Sequence, residues 1–122
     1  MKHRITRTAD VDIEHILRET LRLFGPHQFE TYVGYLSRAI ALIAENPDRP
    51  GCIRRTDVAP GMRSFHLEIA ARRRHAAAHI VYFCIQMPKL GEPEVIVLRV
   101  LHERMEPKRR LIGALREATA DD

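Results

Sequence analysis

The side chains of this sequence best equipped for chemistry are cations. Arg63, Arg99, His102 and Arg104, with the run Arg72-Arg73-Arg74, supply the charge and fixed donors by which proteins grip phosphates and carboxylates. Arg63 and Arg99 stand apart because each falls in an apolar, strand-like stretch, where an unpaired guanidinium is costly. By strand parity Arg63 shares a face with Phe65 and needs a partner. That partner is either a carboxylate at the sheet rim (Glu68, Asp57 or one on a helix) or an incoming phosphate or carboxylate. Arg99 interrupts the run 95–101, alternating with Val97 and Leu101 while Ile96, Leu98 and Val100 fill the other face. Its face either meets water or lines a groove together with Arg63, His102 and Arg104. Arg72, Arg73, Arg74 and His75 fall between two strands, at the tip of an expected hairpin, as solvated charge or as partner contacts. This block lacks the interleaved aromatics of a stacking platform for single-stranded nucleic acid.

The excess charge is concentrated. The chain carries a net charge of +4, yet residues 1–48 and 76–122 are close to neutral, and residues 49–75 hold seven arginines against Asp57 and Glu68. A basic region of this kind attracts nucleic acid or an acidic peptide, or simply keeps a face solvated.

Other chemistries find little support. There is no phosphate-cradling glycine motif and no recognisable Ser, His and Asp spacing, so no catalytic residue is assigned. Of seven histidines only His75 and His79 stand four apart, without the glutamate of a zinc-protease motif, so neither a metal nor a cofactor is expected. Cys52 and Cys84 have no metal-pair or disulfide-scaffold spacing and read as reduced thiols, Cys84 as core packing. No window approaches the ~20 apolar residues of a membrane span, and residues 1–7 lack a secretory apolar run. The expectation is a cytoplasmic protein, not a membrane one, with 122 residues making a single domain over 1–122.

The elements that must hold these cations follow from periodicity. Residues 3–7 suggest a short strand. Ile13, Ile16, Leu17, Leu21 and Phe24 mark one face of a helix that Asp10 and Asp12 are placed to cap and complement, ending at Gly25. Pro26 opens a second helix, whose stripe Phe29, Tyr32, Val33, Leu36, Ile40 and Ile43 runs to the stop at Asn46-Pro47. Residues 47–61, with three prolines and two glycines, form an irregular connection. Residues 62–69 alternate as a half-buried strand, 79–87 as a central strand, and 88–93 turn into a partner strand over 95–101. Residues 107–117 leave room for a last helix. The expected fold is α+β, a β-α-α-β-β-β antiparallel sheet with a two-helix hairpin packed on one face.

Read together, Arg49-Pro50-Gly51, the PGMRSF segment at 60–65, HIVYF at 79–83 and VLRVLH at 97–102 resemble the ParE branch of the ParE/RelE toxin superfamily, over about residues 3–111. The resemblance implies a RelE-like fold of the arrangement just read. It implies the toxin of a type II toxin–antitoxin system, neutralised by a cognate antitoxin that wraps it with a segment folding on binding. ParE toxins poison DNA gyrase, so the implied action is to bind gyrase and trap its cleaved-DNA intermediate without performing a reaction. A homodimer or a toxin–antitoxin hetero-oligomer is the assembly implied. No residue carries over as a gyrase contact; the basic set Arg63, Arg72, Arg73, Arg74, Arg99, His102 and Arg104 is expected to meet partners.

The rival is the RelE branch, ribosome-dependent endonucleases of messenger RNA. That chemistry needs cations on the phosphate and an acid/base pair for the 2′-hydroxyl and the leaving oxygen. Arg63 sits where the resemblance puts a phosphate-binding arginine, and His102 could act as acid or base. No tyrosine follows Phe83, so the C-terminal aromatic acid/base of several RelE-type nucleases is missing. A module that has lost toxicity and only binds its partner is the third alternative.

Overall fold

The computed structural model describes residues 1–120. In chain order the elements are β1 (Lys2–Ile5), α1 (Arg7–Phe24), α2 (Pro26–Glu45), β2 (Ile53–Arg54), β3 (Arg63–His66), α3 (Leu67–Ala71), β4 (His79–Gln86), β5 (Glu94–His102) and α4 (Pro107–Ala120). None of the described helices is long and apolar enough to cross a membrane.

The strands form one sheet in the order β1-β5-β4-β3-β2. It is α+β as expected, but mixed rather than antiparallel throughout, because β1 runs parallel to β5, with Lys2 opposite Glu94 and Ile5 opposite Val97. The two-residue β2 lies within the connection read as irregular and covers the outer edge of β3.

The helical hairpin forms where periodicity places it. Gly25 makes the corner at φ 87°, a left-handed value that suits glycine, and Pro26 follows as the first residue of α2. Capping of α1 differs from expectation. The cap is Thr6, whose side chain accepts from the Ala9 amide at 3.1 Å while its hydroxyl donates to the Leu98 carbonyl at 3.1 Å. Thr6 thus joins helix start to sheet, and Glu117 of α4 accepts from the Thr8 amide at 3.3 Å and from its hydroxyl, placing a carboxylate at the positive end of α1. Asp10 stands in the first turn; Asp12 turns elsewhere, as described below.

The strand expected over 62–69 is cut short. At Leu67 the chain enters α3, with the His66 ring capping by accepting from the Glu68 amide at 3.1 Å. Leu67 and Ala70, three apart, are both buried, whereas Ile69, which strand alternation would bury beside Leu67, is 39% exposed. Helical spacing therefore wins over alternation.

Both faces of the sheet are covered. Against α1 and α2 lie Phe65, Val81, Phe83, Val95, Val97 and Val100. On the opposite face Tyr82, Ile96, Leu98 and Leu101 pack with Leu111 and Ala114 of α4, so the face expected to open to water is filled. A bulge sets this division: Tyr82 pairs with Arg99 but Phe83 with Val97, leaving Leu98 unmatched. The extra residue reverses the parity beyond it, so Val97 and Val100 share a face where strict alternation separates them.

Candidate functional site

The predicted cations separate into two internally paired arginines and one basic end of the molecule. Arg63, half-buried at the start of β3, donates to Asp48 Oδ1 at 2.7 Å and to the Pro47 carbonyl at 2.9 Å. Its partner is thus a loop carboxylate. Of the partners foreseen, Asp57 holds Arg55 instead, and Glu68 accepts from the His75 amide at 2.9 Å. Arg99 is held by Asp12 of α1 through two bonds of 2.7 and 2.8 Å, and also reaches the Arg110 carbonyl. The same carboxylate accepts the Val100 amide at 3.0 Å, where β1 has ended and β5 has a free edge.

Arg72, Arg73 and Arg74 are exposed in the turn after α3, so a helical turn, not a simple hairpin tip, carries them. Arg72 adopts the left-handed conformation, φ 58° and ψ 27°, and closes α3 as its C-cap. This turn lies beside the one leaving β5, since the Glu103 amide donates to the Ala78 carbonyl at 2.8 Å and Glu103 pairs with His66 at 2.7 Å. Arg72–Arg74, His102 and Arg104 therefore gather at one end of the sheet. Arg63 is at the other: it faces Phe83, whereas His102 faces His79, four residues along β4 or about 13 Å of strand.

Between α1 and the basic end opens a groove that the sequence did not announce. Its larger part encloses about 600 Å³, walled by Ile16, Leu23 and Phe24 of α1 and by Met105, with Tyr32 and His79 at its floor. A second part of about 420 Å³ continues it along α1 to Val11 and Asp12, sharing His15, Ile16, His79, His102 and Met105. Leu23 and Phe24, 57% and 70% exposed, give it an apolar lip.

The floor is a chain of rings. The Ala78 amide donates to the Tyr32 oxygen at 3.4 Å, so the Tyr32 hydroxyl hydrogen is free to donate to His79 Nδ1, 2.5 Å away. Burial raises the Tyr32 pKa and keeps this phenol protonated. The His79 ring meets Tyr32 and His102 edge to face, with centroids 5.6 and 5.4 Å apart. Burial first, then repulsion from His102, lowers the His79 pKa to about 4, so it stands neutral at pH 7. His102 is fixed in turn, its Nδ1 accepting from the Arg104 amide at 3.1 Å. Sequence reading weighed His79 only as half of a metal pair; a histidine opening a buried strand was the available signal. Among the described residues no group of three His, Cys, Asp or Glu could hold a metal ion. Both cysteines are free, with thiol pKa values raised by burial.

Known proteins agree with this architecture. A protein-family profile for the ParE toxin of the type II toxin-antitoxin system parDE matches residues 4–107. The chain is similar to Toxin ParE of Escherichia coli, 31% identical over 114 residues, covering 92% of this chain and 94% of that one. A solved structure from the chromosomal ParDE toxin–antitoxin system of P. aeruginosa superposes with a TM-score of 0.63 at 20% identity, over 84% of this chain and 95% of that one, and shares its fold. The profile spanning most of the chain and the relative matched along nearly its whole length thus point the same way: the chain belongs to the ParE toxin family of type II toxin–antitoxin systems.

Proposed function

We propose that this ParE-family chain acts by binding, not by chemistry: it engages DNA gyrase in the cytoplasm, stalls it on cleaved DNA, and is silenced by a cognate antitoxin. The observation that carries this reading is the separation of Arg63 from His102. A ribonuclease of the RelE kind needs a phosphate-gripping cation and an acid/base group on the same phosphodiester. Here the arginine placed by the resemblance bonds Asp48 at one end of the sheet, and the histidine caps a turn at the other. The exposed cations, by contrast, suit an acidic partner, since Arg72, Arg73, Arg74 and Arg104 share one end of the sheet, with His102 beside them. Arg63 remains part of the partner surface, because Asp48 is 69% exposed and an incoming carboxylate could replace it. Arg99, whose Asp12 partner is 12% exposed, contributes by holding the groove wall in place.

The test is a gyrase supercoiling assay with toxin freed from its antitoxin. Linearised, protein-bound DNA accumulating with dose, and reversal by added antitoxin, is the expected result. Intact DNA together with transcripts cut on translating ribosomes would replace the reading with the nuclease one. Induced expression with no effect on growth would leave a partner-binding module.

A further inference from the structure

We infer that the basic end of the sheet, formed by the Arg72–Arg74 turn and the turn leaving β5, binds the sugar–phosphate backbone of duplex DNA directly. The inference deepens the gyrase reading, on which its place in the mechanism rests: the chain touches the DNA that gyrase holds, and not gyrase alone.

Unmatched charge is the first observation. Residues 66–75 carry three arginines and residues 102–110 four lysines or arginines, against Glu68, Glu103 and Glu106. Each of those carboxylates is engaged elsewhere. Glu68 accepts from the His75 amide at 2.9 Å, Glu103 pairs with His66 at 2.7 Å, and Glu106 accepts from the Lys108 and Arg109 amides at 2.7 and 3.4 Å. Among the described residues no carboxylate hydrogen-bonds the side chain of Arg72, Arg73, Arg74 or Arg104, and all four are exposed.

Rigidity is the second. The Arg72 amide closes α3 on the Ile69 carbonyl at 3.2 Å, the Ala76 amide donates to the Arg73 carbonyl at 3.2 Å, and Glu68 fastens His75 between them. Arg72 and His75 both hold left-handed backbone, at φ 58° and 63°. A guanidinium thus stands where the backbone favours glycine, on a turn already ordered before any partner arrives.

Composition decides which polyanion fits. The turn Arg72–His75 contains no apolar side chain, whereas the centre of a protein interface is apolar and depleted in charge. Neither segment contains Phe, Tyr or Trp on which an unpaired base could stack, which sets single strands aside. Guanidinium groups grip phosphate oxygens in pairs, and contact with the backbone alone needs no base readout. A duplex, with one charge per about 1.7 Å of axis, satisfies several arginines at once.

The test uses the full chain free of antitoxin and a fluorescent duplex of about 20 base pairs, titrated by anisotropy at salt from about 50 to 200 mM. Wild type is expected to bind with a slope of log affinity against log salt of about −4, one phosphate contact for each of the four arginines. Combining Arg72→Gly, Arg73→Ser and Arg74→Ser is expected to lower affinity about tenfold or more at low salt and the slope by about three; Arg104→Ser lowers it by about one. Glycine suits the left-handed cap, so the turn is kept. The control, Arg18→Ser with Arg38→Ser and Arg54→Ser, removes the same charge from exposed positions elsewhere and is expected to keep the slope. Equal losses in the two triple variants would assign binding to net charge and overturn the inference, as would a duplex left unbound. Polyglutamate bound in place of the duplex, with the same dependence on these arginines, would overturn it in favour of a protein contact. Gyrase poisoned without duplex binding would remove this inference and leave the gyrase reading standing; duplex bound through these arginines with gyrase unaffected would support it and remove the other.

Discussion

Asp12 and Arg99, 87 positions apart in sequence, meet at 2.7 Å where α1 crosses the free edge of β5, and the same carboxylate satisfies the Val100 amide. One acidic side chain thus compensates a half-buried guanidinium and an orphan backbone donor. Removing it leaves the Val100 amide unpaired and Arg99 with only the Arg110 carbonyl, which costs more than the pair's net contribution. Asp12→Ala is therefore expected to lower unfolding free energy by about 3 kcal/mol, with Asp12→Asn in between. Urea denaturation midpoints check the order; equal stability of Asp12→Ala and wild type would show the pair to be surface decoration.

His79 makes stability depend on pH. Its pKa is lowered to about 4 in the folded chain, against 6.5 for an ordinary histidine, so between those values the unfolded chain binds the extra proton. The contribution is fully present above pH 6.5 and is lost as pH falls from 6.5 toward 4. Folding should weaken by about 2 to 3 kcal/mol across that window. In His79→Gln the slope should largely vanish; the same slope in both proteins would assign it to other groups.

Arg63→Ala has two readouts that separate its roles. Loss of the bonds to Pro47 and Asp48 should cost about 1 kcal/mol of stability by loosening the connection after α2. If Arg63 also meets the antitoxin, affinity falls as well. A titration giving unchanged affinity with lowered stability would confine Arg63 to the first role.

Arg72→Gly should strengthen the fold and weaken association. A left-handed C-cap at φ 58° favours glycine, so melting should shift upward by the equivalent of about 0.5 to 1 kcal/mol. The lost charge should slow antitoxin association at low salt, and less so at high salt. A rate that is equal to wild type at low salt would remove the turn from the encounter surface.

Much of the architecture was legible because its causes are local. Apolar spacing along 13–24 and 29–43 announced two helices, Gly25-Pro26 their corner, and the apolar runs around Val81 and Val97 the central strands. The basic end was legible in part: Arg72, Arg73 and Arg74 stood out by composition, but the sequence could not say that they lie beside His102 and Arg104.

What sequence alone determined here was the inventory: a helical hairpin, a sheet, a concentrated basic region and the motifs of a toxin family. Tertiary structure decided the pairings. The parallel match of β1 with β5, the bulge that turns Val100 to the face of Val97, the use of Asp12 as a lock and not a cap, and the groove floored by Tyr32 and His79 each join residues 46 or more positions apart or depend on one unmatched residue in a ladder. Periodicity reports which face a residue presents within its own element. Which residue meets that face depends on how the elements close upon one another, and that is settled only when burial, hydrogen bonding and charge are satisfied together.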